Sequence, residues 1–454
     1  MIAPARTAAY DILSAVSAGT TDLGSALASS RADLSDDRDR ALAAEIATGV
    51  LRRRALLDYL IERGANRPLH RLDAEVLEIL RLSLYQLLYL TRVPASAVVD
   101  DAVNMSKKLG KKSASGLVNA VLRGLSRSRK ALPLPPRPAE PDLPANREAA
   151  LTYLNIALSH PRWLAARWME RLGFDCAEAW MLFNNTPAPV TIRANRLRIE
   201  VGALAAELEA QGVRTARARF APDALVVDHA PNRGLQVGDF LIQDEASQLV
   251  TLLAGAEPGP SLLDTCASPG GKTTAFAAAM SNRGLIVACD VRERRMHLLG
   301  RTVHTLGATN VRMVQTDAGL PLPFSGVFDT VVLDAPCSGL GTLRRDPDIR
   351  WRREEADLEK LAATMLQMLE HAADRVRPGG RLVYATCSTE PEENEGVVTA
   401  FLQRTPAFAA LDARLAHPGL PAEVVDARGH LRTTPAPLGL EGFFGAVFER
   451  RTGI

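Results

Sequence analysis

The stretch Ser261-Leu262-Leu263-Asp264-Thr265-Cys266-Ala267-Ser268-Pro269-Gly270-Gly271-Lys272-Thr273 reads as a short apolar strand, a glycine-containing turn and the start of a helix. That unit opens a doubly wound α/β sheet, in which ligands bind beyond the carboxyl ends of the strands. The pattern repeats downstream. Apolar runs at Leu285–Cys289, Val311–Val314, Thr330–Leu333 and Arg381–Ala385 alternate with helical stretches at Thr273–Met280, Arg292–Leu306 and Glu354–Val376. Such alternation predicts a mostly parallel sheet buried on both faces.

The residues after each strand carry the chemistry. Gly270 and Gly271 let backbone approach a ligand, and the following helix offers free N–H groups. Asp290 follows the second strand, Asp317 the third and Asp334 the fourth. A carboxylate at 290 suits the two hydroxyls of a ribose. Gly271-Lys272-Thr273 is also the tail of a phosphate-binding P-loop, but the leading glycine of that motif falls at Cys266. Acids at successive strand ends repel a polyphosphate and suit a cation. S-adenosylmethionine, with a sulfonium and a nucleoside, fits them. Each aspartate singly is also readable as a turn or a helix cap.

Two cysteines, Cys337 in Asp334-Ala335-Pro336-Cys337-Ser338-Gly339 and Cys387 in Thr386-Cys387-Ser388, each follow a strand at this same end. Two thiols there suggest one that adds to a carbon electrophile and one that assists release. The bland alternative, a buried core cysteine, is the better reading for Cys176 and Cys289. Five cysteines without a C-x-x-C pair argue against a disulfide framework or zinc site and for free thiols in a reducing cytoplasm.

The whole chain has 454 residues, 47% hydrophobic and 23% charged, as in a globular protein of several domains. No run of about 18 uncharged apolar residues predicts a membrane span, and Met1–Arg6 lacks a secretory layout. Residues 1–130 hold 20 Lys/Arg against 14 Asp/Glu, a bias compatible with a polyanionic partner. They read as a helix bundle: Leu72, Val76, Leu80, Leu84 and Leu88 share one face, and further amphipathic segments span Ala97–Leu109 and Ala114–Leu125. Six prolines between Leu132 and Asn146 predict an extended linker at 131–146. Residues 147–237 predict a small α/β unit with strands at Val190–Arg193 and Ala224–Val227, and 238–454 the catalytic sheet.

Cys266-Ala267-Ser268-Pro269-Gly270-Gly271-Lys272, Asp334–Gly339 and Thr386–Ser388, in this order, resemble the RNA cytosine-5 methyltransferases of the NOL1/NOP2/Sun type. Gln243–Ser247, Arg344–Trp351 and Glu392–Glu395 match as well. The helical domain, with Val118-Asn119-Ala120-Val121-Leu122-Arg123, looks like a NusB-like RNA-binding domain. That combination is similar to the bacterial members that methylate a cytosine of 16S ribosomal RNA. Ser268 departs from the alanine more usual there.

The resemblance implies a class I fold with S-adenosylmethionine lined by Cys266, Ala267, Ser268, Pro269, Gly270, Gly271 and Lys272. Asp290 would hold the ribose, Asp317 the adenine edge, and Asp334 would face the reacting groups. It implies Cys387 as nucleophile on C6 of the base and Cys337 as the thiol for product release. A cytoplasmic monomer without metal is expected. A transfer RNA enzyme of the same superfamily and an inactive RNA-binding factor are the rivals. Trp351, beside Arg350, Arg352 and Arg353, is the candidate for base stacking, with packing on the core as its bland alternative. Lys107, Lys108, Lys111, Lys112 and Arg123 are candidate phosphate contacts.

Overall fold

The structure is a computed structural model that describes residues 2–229 and 237–453. The chain divides into two compact units, one of residues 1–187 with 343–355, the other of 188–342 with 356–454.

The first unit is helical. Its central helix, Ala74–Tyr89, carries the four-residue repeat read from the sequence, with Val76, Leu80 and Leu84 buried. Burial goes further than one face: every residue from Glu78 to Leu87 is buried. Helices Pro4–Ser17, Asp37–Arg52, Arg54–Ala65, Ala95–Lys108 and Ser115–Arg127 close around it into one apolar core. The largest charged cluster drawn inside is paired, as burial favours. The Arg81 guanidinium donates to both Asp58 oxygens, at 2.6 and 2.7 Å, and to Glu78 at 2.6 Å. Lys111 lies 3.2 Å from both Asp73 and Glu75, so its charge is already engaged. The proline-rich stretch forms no strand, ends in the 3-10 turn Pro144–Asn146, and is pinned: Leu132 and Leu134 pack on the core, and Arg137 bonds Glu178 and Asp175.

The Arg344–Trp351 stretch belongs to this helical unit, and of the two readings of Trp351 the structure carries packing on a core. The Trp351 indole packs on the helical core and donates its Nε1–H to Leu51 O at 2.6 Å. Arg350 is 0% exposed and donates to Ser159 O and Asn185 Oδ1, both at 3.1 Å, and to Leu343 O at 3.2 Å. Asp348 accepts from Leu23 N at 3.3 Å and Arg352 at 2.7 Å. Residue types that suggest RNA contact in a linear reading are here the fastening of a returning segment.

The second unit holds two sheets. Strands β1 (Val190–Ala194), β2 (Thr215–Arg217), β3 (Ala224–Val227) and β4 (Phe240–Ile242) form an antiparallel sheet in the order β2-β3-β1-β4. The small α/β segment therefore takes in β4, beyond the expected limit at 237, because Ile192–Ala194 pair with it. The larger sheet comprises β5 (Ser261–Asp264), β6 (Leu285–Asp290), β7 (Val311–Gln315), β8 (Phe328–Asp334), β9 (Val376–Thr386), β10 (Phe408–Leu411), β11 (Leu431–Thr433) and β12 (Phe443–Arg450). Its order is β10-β12-β9-β8-β5-β6-β7, with β11 on β12. From β7 across to β9 all pairs are parallel; β12 runs antiparallel to β9, β10 and β11. This is the doubly wound architecture expected from the alternation of apolar runs and helices. The order reverses at β5, flanked by β6 and β8, the point at which sheets of this kind bind ligands beyond the strand ends. β10, β11 and β12 were not expected, because no helix separates β11 from β12 to mark them.

Replacing Arg350 by alanine would leave three buried acceptors without a donor, each costly to desolvate. We expect a loss of about 3 kcal/mol or more in chemical denaturation, with little recovery in Arg350→Lys because an ammonium lacks the planar fork.

Candidate active site

Strand register sets the site. Asp264 lies opposite Ala288 on β6 and Val332 on β8, and Asp334 lies opposite Ala385 on β9, so the chain leaves β5 two residues before the level at which β6 and β8 end. The turn 265–270 after β5 is tied down on both sides. Thr265 N donates to Val332 O at 3.0 Å and Ala267 N to Cys289 O at 2.7 Å. Ser268 N reaches Asp290 Oδ2 at 3.2 Å, and the Ser268 hydroxyl donates to Arg295 O at 3.0 Å. Gly270 caps the helix Gly271–Ala279 with φ +102°, a conformation that favours glycine. A Cβ there would meet Leu299 and Thr302 at 3.0–3.2 Å. The glycine thus answers to the turn and to helix packing rather than to ligand approach.

A basic residue holds this loop from below. Arg193, on β1, is buried and donates to Gly271 O, to Gln243 Oε1 at 2.5 Å and to Thr274 Oγ1 at 2.9 Å. Burial pushes its guanidinium down to about 10. The signal in the sequence was a charge inside the apolar run Val190–Arg193, and it passed unread.

Three acids, Asp264, Asp290 and Asp334, act on Cys266 in the loop, and a fourth, Asp317, follows β7. Asp290 is buried at the end of β6, and its Oδ1 accepts Val291 N at 2.9 Å. Asp334 accepts the Lys272 ammonium at 2.7 Å. Burial acts to lower the Lys272 pKa, but Asp334 outweighs it and the ammonium is held above its ordinary value. Asp317 is exposed two residues beyond β7 and accepts Gly319 N at 2.8 Å, a turn contact. Asp264, not singled out from the sequence, is 1% exposed and accepts Thr273 Oγ1 at 2.7 Å. Burial, with Asp334 adding repulsion, raises its carboxyl to about 7 against the pull of Thr273. Two cations pair within this acidic set, Lys272 with Asp334 at 2.7 Å and Arg295 with Asp290 at 3.8 Å. A donor set of this sign fits a cationic nucleoside and opposes a polyphosphate.

Beside the acids the two cysteines meet. The sulfurs of Cys337 and Cys387 are 3.3 Å apart. Cys337 is buried and Cys387 half-buried, so the latter is not sealed in hydrocarbon. The hydrogen bond to Cys387, then burial, then the charges of Cys387 and Glu393 hold the Cys337 thiol well above its ordinary pKa. Cys337 therefore keeps its proton and presents it to the neighbouring sulfur. The two loops are interlocked through backbone: Gly341 N donates to Cys387 O at 2.9 Å, and Gly442 N to Gly341 O at 2.8 Å. A Cβ on Gly341 would stand 1.9 Å from Gly442 O and 2.8 Å from Cys387 O, so only glycine fits. Cys289 is buried in β6, and burial raises its thiol to about 12, as befits a core residue. Cys176, expected in the core, is instead exposed, because it lies on the outer face of its helix Phe174–Asn184. Cys266 is half-buried, its thiol pushed up by burial and the neighbouring acids. A separate cleft lined by Ser261, Asp329, Arg377 and Arg381 lies at the other end of the strands and contains none of these groups. Among the described residues no group of His, Cys, Asp and Glu is arranged to hold a metal ion, and no helix is long and apolar enough to cross a membrane.

A doubly wound sheet of this order, a glycine turn ringed by carboxylates and an adjoining thiol pair define a methyltransferase. The family model described as 16S rRNA methyltransferase RsmB/F matches residues 250–449, the NusB family model residues 3–127, and the RsmF/B-like ferredoxin-like domain residues 160–232. The chain is 33% identical over 417 residues to the probable ribosomal RNA small subunit methyltransferase B of Bacillus subtilis (strain 168), covering 90% of each. It is 34% identical over 423 residues to ribosomal RNA small subunit methyltransferase B of Pseudomonas putida, covering 90% of this chain and 91% of that one. The backbone matches the crystal structure of PH0851 with a TM-score of 0.81 and 26% identity, over 99% of both chains. The chain belongs to the ribosomal RNA small subunit methyltransferase B family.

The raised Asp264 pKa has a consequence for stability. A folded-state value of about 7 lies above the unfolded carboxyl value, so its contribution is full below the unfolded pKa and is lost as pH rises through the folded one. Asp264→Asn removes that titration, and its amide oxygen can still accept from Thr273. We expect the variant to gain in melting temperature relative to the parent between about pH 5 and about pH 8. A constant difference across that window would refute the assignment.

Proposed function

We propose that this chain methylates C5 of a specific cytosine in 16S ribosomal RNA through a covalent bond between Cys387 and C6 of the base. The observation that carries the reading is the 3.3 Å approach of two thiols at adjacent strand ends, beside the Lys272–Asp334 pair. A single nucleophile has no need of a second sulfur at that distance. The 16S assignment rests on the family and on the names its members bear.

S-adenosylmethionine, when bound, supplies an electrophilic methyl group on a sulfonium. Residues 266–272 would line its site, with Asp290 accepting ribose hydroxyls and Asp317 facing the adenine edge. Asp290 suits this role: Oδ1 accepts Val291 N and Arg292 N, while Oδ2 accepts Ser268 N and keeps a lone pair for a further donor. Asp334, at a strand end beside the thiols, serves both the cofactor site and the reacting base.

Cytosine C5 is a weak nucleophile within the aromatic ring. Addition of the Cys387 thiolate to C6 makes C5 enamine-like, dividing one hard step into two. The Lys272 ammonium lies within electrostatic reach of Cys387. Asp334, sharing a proton with N3 of the base, stabilises the charge that builds on the ring. C5 then forms its bond to the methyl carbon. Once Cys387 is a thioether, its charge and its hydrogen bond no longer raise the Cys337 pKa, and the Cys337 thiol can pass its own proton to bulk water and act as a thiolate base. Cys337 takes the C5 proton, directly or through a water, the C5–C6 double bond re-forms, and Cys387 leaves as thiolate. The target base must be single-stranded or flipped to reach this site.

Incubating the Cys337→Ala protein with 16S RNA and S-adenosylmethionine should leave an RNA-linked band on a denaturing gel, because addition proceeds while release stalls. The Cys337→Ala/Cys387→Ala protein should give none. Equal bands from both would refute the assigned roles. Asp290→Ala should weaken S-adenosylmethionine binding by about tenfold or more in calorimetry, the scale of a lost hydrogen bond to a charged group. An unchanged affinity would remove Asp290 from the cofactor site.

A further inference from the structure

Glu393 lies on the single π-helical turn Glu392–Gly396 after β9 and is 0% exposed. Its carboxylate accepts from Ser338 N at 2.7 Å, from Ser338 Oγ at 2.6 Å and from Ser388 Oγ. Ser338 follows Cys337, and Ser388 follows Cys387. The two serine hydroxyls are themselves 3.3 Å apart. The next residue completes the grip: Asn394 Oδ1 accepts Thr386 Oγ1 at 2.6 Å, and its Nδ2 donates to Ser388 O at 3.0 Å. Residues on both sides of Cys387 are thereby held. The Tyr384 hydroxyl donates to Glu393 O, fastening the turn to β9.

No Lys or Arg side chain bonds Glu393 among the described residues. Removing a carboxylate from water with neutral donors alone is costly, and apolar packing would give a more stable core. Three donors from two loops on one rigid anion give something packing does not, a fixed distance between the loops. We propose that Glu393 is a positioning residue that sets the separation of the Cys337 and Cys387 sulfurs by holding the residue after each cysteine on one carboxylate. Its consequence for catalysis rests on the two-thiol reading above. The spacing itself can be measured without RNA.

The test uses the full chain equilibrated in glutathione redox buffers. Oxidation joins the two sulfurs in one S–S bond, and glutathione disulfide accepts the two electrons and two protons to become two glutathiols. Acid quenching, alkylation and peptide mapping then give the effective concentration of one thiol at the other. Glu393→Ala should lower that value by about tenfold or more, and Glu393→Gln, with one acceptor oxygen for Ser338 N, should stay within about threefold of the parent. Ser388→Ala removes one donor, leaves the carboxylate in place and should lower it by about threefold. S-adenosylmethionine affinity should be unchanged in all three, since Glu393 bonds none of residues 266–272, 290 or 317. With 16S RNA, Glu393→Ala should lower kcat by about tenfold and leave KM within about threefold. An effective concentration unaltered in both Glu393→Ala and Ser388→Ala would overturn the proposal, as would a fall matched by an equal loss of cofactor binding. Failure of the Cys337→Ala protein to accumulate an RNA adduct is a different result. It would refute the two-thiol mechanism and leave the spacing measurement standing.

Discussion

The register of β8 against β9 places Asp334 opposite Ala385, and the backbone bond from Ala335 N to Ala385 O at 2.8 Å carries the pairing one residue past the strand end. Cys337 and Cys387 are then three and two residues beyond a common level. Parallel strands are evenly bonded, so a slip of one residue would turn every side chain to the opposite face and part the sulfurs. The register is held by buried apolar residues on both faces, among them Val331, Leu333, Leu382 and Tyr384 on one side and Val332, Val383 and Ala385 on the other. A thiol pair about as wide as one hydrogen bond thus depends on the packing of the whole sheet.

Charges inside the second unit are spent on loops. Arg193 bonds the turn after β5, Lys272 bonds Asp334 at the end of β8, and Glu393 bonds the turns after β8 and β9. Each is buried or nearly so, and each binds groups brought together only by folding. The helical unit follows the same rule, with Arg81 and Arg350 satisfying acceptors far away in sequence. Such groups lower the tolerance of a core to rearrangement, since breaking one leaves several buried partners without a bond.

How much of this was legible depended on range. The four-residue repeat through Leu72–Leu88 and the apolar runs of the parallel strands are local patterns, and the structure carries both. Asp290 and Asp334 could be placed because a strand end is a position along the chain. Trp351 and Arg350 could not, because a run of arginines beside an aromatic reads alike whether it meets RNA or a protein core. Gly270 shows the same ambiguity: its φ was legible as a glycine requirement, but what fills the space behind it was not. Arg193 and Glu393 carried no local sign of their partners, which lie 78 and 55 residues away.

The sequence by itself determined the alternation of the parallel strands with helices, the α/β class, and the position of the two cysteines just beyond strand ends. These follow from short-range periodicity and from motifs read within a few residues. Only the tertiary structure decided that the sulfurs stand 3.3 Å apart, that Asp264 joins the acidic ring, that one carboxylate spans both thiol loops, and that residues 343–355 complete the helical unit. Those outcomes depend on which distant segments share a neighbourhood, and in a linear chain that is set by packing and register rather than by any single stretch of residues.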